Sequence, residues 1–124
     1  MTGLTTVMMA GLTMALAPTA NAAESVKGPK GSLKDSVKFD PKKKTVTPLF
    51  GEGFKVMGIA LKKGQALERH QTPTPAFLFV QSGTVQYIVG EQTTELESGD
   101  FLRISPKVDH EVRANEDSVL LLVK

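Results

Sequence analysis

The hydrophobic pattern along the chain is that of an antiparallel β protein from residue 45 onward. Short apolar runs recur between turn-forming residues at a spacing of roughly 8–12 residues, which is typical of sandwiches and barrels. No segment shows sustained helical periodicity. The predicted strands are Thr45–Phe50, Lys55–Leu61, Phe77–Gln81, Thr84–Val89, Thr93–Leu96, Phe101–Ile104, His110–Ala114 and Val119–Val123.

Alternation within the strands predicts which side chains face the core. In the strand that begins near Thr84, the apolar positions include Val85 and Tyr87, so Tyr87 is expected to point inward. In the strand Phe77–Gln81 both rows are apolar. We expect Ala76, Leu78 and Val80 to face the interior. Phe77 and Phe79 then point outward, and either a second copy or the N-terminal part of the same chain must cover them.

The first residues differ in composition from the rest of the chain. Residues 1–23 contain no charged side chain, and an apolar stretch from Val7 to Leu16 precedes the small-x-small pattern of Ala20 and Ala22. This pattern predicts a signal peptide over residues 1–22 and a periplasmic or secreted protein. The alternative is an N-terminal amphipathic helix. The apolar run is too short for a membrane span, which needs about 20 residues.

Residues 23–44 are predicted to be a flexible basic arm. Seven lysines stand there against three acidic residues, with glycines and prolines between them and few apolar side chains. The arm is either a solvated linker or an electrostatic contact for an anionic envelope surface. The net charge of the whole chain is only +2, so we expect no nucleic-acid partner. The chain has no cysteine, which excludes disulfides and thiolate metal sites.

The two histidines of the chain lie in two motifs that resemble the paired motifs of the cupin superfamily. In the first, Gly64 precedes His70, and Gly83 closes the motif. In the second, Gly99 and Pro106 precede His110, and Asn115 follows it. The resemblance spans residues 45–124 and implies a cupin domain with a double-stranded β-helix (jelly-roll barrel) fold.

The resemblance also implies a metal site, but an incomplete one. In the family, three histidines and a glutamate hold a divalent metal, and His70 and His110 match the first and last histidines. Thr72 stands at the second histidine position and Ala76 at the glutamate position. Glu68 replaces the lost carboxylate if an extended segment points Glu68, His70 and Thr72 the same way. It is otherwise a solvent-exposed residue.

Three interpretations of the histidine pair therefore stay open. His70, Thr72, Tyr87 and His110 form a metal-free pocket for a small polar or anionic ligand; or His70, His110 and Glu68 hold iron, manganese or zinc weakly; or the pair is structural. The favoured function is an exported cupin that binds a small polar ligand. The alternatives are a metal-dependent oxygenase, isomerase or lyase, and a structural or interaction module that forms a homodimer through Phe77 and Phe79.

Overall fold

The structure, a computed structural model, describes residues 28–124. The predicted signal peptide, residues 1–22, lies outside the described residues, as does the first part of the predicted arm. The described elements are α1 (Leu33–Ser36), β1 (Thr45–Glu52), β2 (Phe54–Leu61), β3 (Ala66–His70), β4 (Ala76–Ser82), β5 (Thr84–Val89), β6 (Gln92–Glu97), β7 (Phe101–Ile104), β8 (His110–Ala114) and β9 (Ser118–Val123). Among residues 28–124 there is no helix of the length and hydropathy that a membrane crossing requires.

The strands form two antiparallel sheets that enclose one core. The five-stranded sheet has the order β1-β2-β9-β4-β7, and the four-stranded sheet has the order β3-β8-β5-β6. The predicted all-β jelly-roll barrel is confirmed. The core consists of Ile59, Leu61, Ala76, Leu78, Val80, Val85, Leu96, Ile104, Val112, Ala114 and Leu120.

The predicted strands are all present, with small changes at their ends, and β3 is a strand that the sequence pattern did not identify. β1 lies at the edge of its sheet, as expected for a strand that contains Pro48. The alternation in β4 is also confirmed. Ala76, Leu78 and Val80 are buried, whereas Phe77 on the outer face is 41% exposed.

Within the described part of the predicted arm, one segment packs against the sheet. Val37 is only 6% exposed and packs with Leu49 and Ala60 in a small cluster on the outer face of the five-stranded sheet. The contact depends on Gly58, because a Cβ atom at that position would overlap Cγ2 of Val37. The segment holds few apolar residues, which favoured a flexible arm, but Val37 and Leu33 both pack in this cluster on the sheet.

Candidate functional site

A β-bulge in β3 brings His70 to the inner side of the barrel. In the pairing of β3 with β8, Leu67 is opposite Val112 and His70 is opposite His110, so β3 uses one residue more than β8 between these pairs. Leu67 packs against the core. A bulge of this kind re-aims the side chains that follow it. His70 therefore faces the same side as Leu67, although the two are three positions apart.

His110 is buried inside the barrel, whereas His70, at the end of β3, lies on the same face of the sheet but is open to solvent. His110 begins β8, shares the core face with Val112 and Ala114, and is 1% exposed, whereas His70 is exposed. The two ring centroids are 4.5 Å apart with a tilt of 57°. The structure thus brings together the two histidines that the motifs singled out.

Both imidazoles are oriented by the same local hydrogen bond. Nδ1 of His70 is 2.7 Å from the carbonyl oxygen of Glu68, and Nδ1 of His110 is 3.0 Å from the carbonyl oxygen of Val108. A carbonyl oxygen only accepts hydrogen bonds, so each Nδ1 must carry a proton. In the neutral ring, each Nε2 then keeps its lone pair. The hydrogen-bonding role of these two carbonyls was not predicted from the sequence. The only sequence feature that indicates it is that each carbonyl belongs to the residue two positions before a histidine.

Tyr87 adds an aromatic ring and a hydroxyl to the site. Its ring centroid is 5.6 Å from that of His110. It lies on β5 opposite Val112 of β8, on the face that alternation predicted. Burial raises the pKa of Tyr87 above its ordinary value of 10.0. The hydroxyl is therefore protonated at neutral pH and can donate one hydrogen bond.

Thr72 is buried, and its hydroxyl serves its own loop. The Oγ1 atom donates a hydrogen bond to the carbonyl oxygen of Thr74 at 2.9 Å. The backbone carbonyl of Thr72 accepts a bond of 2.8 Å from the amide of Lys107. Thr72 thus joins the loop after His70 to the loop before His110, and its Oγ1 lone pairs can still accept.

The structure does not bring Glu68 to the histidines. The alignment under which Glu68 would replace the lost carboxylate requires a regular strand, and the bulge between Leu67 and His70 interrupts it. The Glu68 carboxylate is 2.9 Å from Nζ of Lys44, and its side chain is 78% exposed. The hydrogen bond from Lys44 lowers the pKa of Glu68, so Glu68 is ionised at neutral pH.

The side chains present do not fit a tightly held divalent metal. Within residues 28–124, no three His, Cys, Asp or Glu side chains are grouped closely enough to hold one. Position 76 carries only a methyl group, and two neutral imidazoles leave a divalent charge uncompensated in the barrel. Catalytic sites of this kind usually have three protein ligands.

Comparison with known proteins agrees with the geometry. The family model for the cupin domain matches residues 59–123, and the chain belongs to the cupin family. No curated protein matches the chain by sequence.

Solved structures with the same architecture share little sequence with the chain. A conserved protein of unknown function from Streptococcus pyogenes is 19% identical, with a TM-score of 0.71 over 86% of this chain and 95% of that chain. A cupin superfamily protein from Desulfitobacterium hafniense is 10% identical, with a TM-score of 0.73 over 81% and 94%. A protein from Thermus thermophilus is 25% identical, with a TM-score of 0.68 over 80% and 94%. These similarities establish the fold.

Proposed function

We propose that this cupin binds a small polar ligand at the pair His70 and His110, with Tyr87 and Thr72 as further contacts. The observation that carries the proposal is the shared orientation of the two imidazoles. Both donate Nδ1–H to a backbone carbonyl, which leaves both Nε2 lone pairs free to accept. The site therefore offers acceptors to a ligand that brings donors, such as a polyol or an amine.

The burial of the contacts sets the strength of binding. His110 is buried and His70 is exposed, so a ligand bond to His110 forms away from water, whereas a bond to His70 competes with water. Each neutral hydrogen bond is worth about 0.5–1.5 kcal/mol net.

Thermal stabilisation by small molecules tests this proposal. Glycerol, glucose and ethanolamine serve as probes of the hydroxyl and amine classes. We expect at least one to raise the melting temperature of the wild type, and the rise to disappear in His70→Ala and to shrink in Tyr87→Phe. Gln86→Ala, on the outer face of β5, is the control. A rise that persists in His70→Ala, or no rise with any probe, contradicts the proposal.

A second candidate is a weak divalent metal site of iron, manganese or zinc, and with it a metal-dependent oxygenase, isomerase or lyase. It is favoured by the Nδ1–carbonyl bonds, since metal-binding histidines usually donate their other ring nitrogen in this way. Because no carboxylate joins the pair, zinc added to the protein should be removed by dilute chelator without unfolding. The metal is held either by the two histidines alone or by the histidines together with the Glu68 carboxylate. The variant Glu68→Gln distinguishes these two sites, because it weakens zinc binding only if Glu68 is a ligand.

Export to the periplasm or outside the cell is also part of the proposal. It is supported by the uncharged, apolar composition of residues 1–22 and the small residues at Ala20 and Ala22. N-terminal sequencing of protein from the native host should find a chain that begins at Ala23. An intact Met1 on soluble cytoplasmic protein contradicts export.

We further propose a homodimer through the uncovered part of the outer sheet face. Phe77 and Phe101 stack at 5.3 Å between ring centroids, and Phe101 is 65% exposed. The arm of the same chain already lies on the neighbouring part of this face, against Val119 and Leu121. The arm therefore covers a different part of the sheet, and a twofold contact buries each ring of the patch twice.

Light scattering tests the dimer. The wild type should have twice the mass of the mature chain, and Phe101→Glu should be monomeric. Val46→Glu, at another exposed apolar position, is the control and should remain dimeric. A monomeric wild type at micromolar concentration contradicts the dimer.

A further inference from the structure

A basic groove lies on the outside of the barrel, where the end of the arm passes the beginning of strand β3. The groove has a volume of about 330 Å³ and is lined by Lys42, Lys43, Lys44, Gly64, Gln65, Ala66, Glu68 and Arg113. Ala66 of β3 is paired with Arg113 of β8 in register, so both lie on this part of the sheet. Four cationic side chains thus face one carboxylate across a shallow cavity.

The position of the arm in this groove is fixed by hydrogen bonds. Nε2 of Gln65 donates to the carbonyl of Asp40 at 3.0 Å, and Oε1 of Gln65 accepts from the amide of Lys62 at 2.9 Å. The lysines that follow Asp40 are therefore held against the sheet. The three consecutive lysines Lys42, Lys43 and Lys44 therefore form one wall of the groove.

The charges of the groove are only partly neutralised. Lys44 pairs with Glu68, and Arg113 pairs with Glu111 at 2.6 Å. Lys42 and Lys43 form no ion pair with any residue of the range 28–124. Arg113 donates from Nη2 to Glu111 and, at 3.5 Å, from Nη1 to the carbonyl oxygen of Gly64, which leaves its other guanidinium N–H groups for an anion.

We infer that this groove is an anion site for a phosphate group, with Lys42, Lys43 and Arg113 as direct contacts and Lys44 recruited from Glu68. Guanidinium and ammonium donors together suit a doubly charged tetrahedral anion, because charge-assisted bonds to phosphate are stronger than neutral ones. Glu68 acts as an internal competitor that holds Lys44 until the anion arrives. Neither His70 nor His110 lines the groove, so the proposed anion site can be tested without reference to the ligand site at the histidines.

Titration of the mature protein with pyrophosphate, followed by amide NMR, tests this inference. The amide signals of Gly64 and Ala66 should shift, and the affinity should fall with ionic strength. In the double variant Lys42→Ala/Lys43→Ala, the affinity should fall about tenfold or more. Lys55→Ala/Lys124→Ala removes the same charge elsewhere and should change the affinity less than about twofold.

A second variant is expected to change the affinity for pyrophosphate in the opposite direction. Glu68→Gln frees Lys44 and should tighten pyrophosphate binding while leaving the fold intact, because its side chain is exposed. Equal losses in the two lysine variants would show a general charge effect and overturn the site. So would weaker binding in Glu68→Gln.

Vesicles distinguish the source of the phosphate group. Co-flotation with phosphatidylglycerol vesicles but not phosphatidylcholine vesicles, lost in Lys42→Ala/Lys43→Ala, assigns a lipid headgroup. Pyrophosphate binding without flotation assigns a soluble phosphate compound. Failure of both overturns the inference and leaves the ligand experiments on His70 unaffected.

Discussion

The rings of His70 and His110 lie 4.5 Å apart, centroid to centroid, and each donates its Nδ1 proton to the carbonyl of the residue two positions before it. This repeated bond sets the chemistry of the barrel, because it makes both Nε2 atoms acceptors. Everything proposed for the ligand follows from that orientation.

The tautomers of the two histidines are the first prediction. In the neutral state, both rings should be the Nδ1–H form, because a carbonyl cannot donate to an unprotonated Nδ1. Nitrogen-15 NMR of the rings measures this directly, and His70→Ala assigns the signals since the chain has only two histidines. A dominant Nε2–H form in either ring contradicts the site geometry.

The titration of Tyr87 is the second prediction. Burial raises its pKa, so the phenolate absorbance of the folded protein should rise with a midpoint above 10.0. The folded state then binds the phenolic proton more tightly than the unfolded state, and this contribution to stability is lost as the pH rises above 10. The chain has one tyrosine and no tryptophan, so the signal is unambiguous.

A matched measurement in denaturant controls the tyrosine titration. The midpoint should return to the ordinary value near 10.0 once the chain is unfolded. Circular dichroism recorded alongside shows whether the sheet is still intact at each pH. A folded-state midpoint at or below the unfolded one would mean that Tyr87 faces water and is not part of the pocket.

The docking of the arm is the third prediction. In Gly58→Ala the new methyl group overlaps Val37, so the arm should be forced off the sheet. Overpacking of this kind costs about 1–3 kcal/mol in the free energy of unfolding. Urea denaturation measures the loss, and faster cleavage by trypsin near Lys38 reports the release of the arm.

A double-mutant cycle isolates this contact. Val37→Ala removes the Cγ2 atom that the new methyl group would overlap, so Gly58→Ala should cost less in that background. An equal cost in both backgrounds would show that Gly58 is needed for the sheet itself and not for the arm.

Sequence reasoning predicted those parts of the structure that follow from local alternation. The inward direction of Ala76 and Tyr87, and the outward direction of Phe77, depend only on the period of a strand. The paired motifs around His70 and His110 also located the two residues that meet in the barrel. These features need no knowledge of which strand pairs with which.

The features that could not be predicted from the sequence depend on pairing and packing between segments that are distant along the chain. The bulge before His70 exists only in the register between β3 and β8, and it places His70 on the same side as Leu67, while Glu68 pairs with Lys44. The docking of Val37 depends on Gly58, which is distant in sequence. Because glycine has no side chain, it adds nothing to the hydrophobic pattern that could predict this contact. Neither feature leaves a local signature in the hydrophobic pattern.

Native mass spectrometry of the protein purified from its own host without added metal tests the central proposal most directly. We predict the mass of the mature homodimer with one small organic molecule bound per chain, no stoichiometric metal, and loss of the bound mass in His70→Ala. A stoichiometric divalent metal that survives dilute chelator, with no organic adduct, would contradict the account.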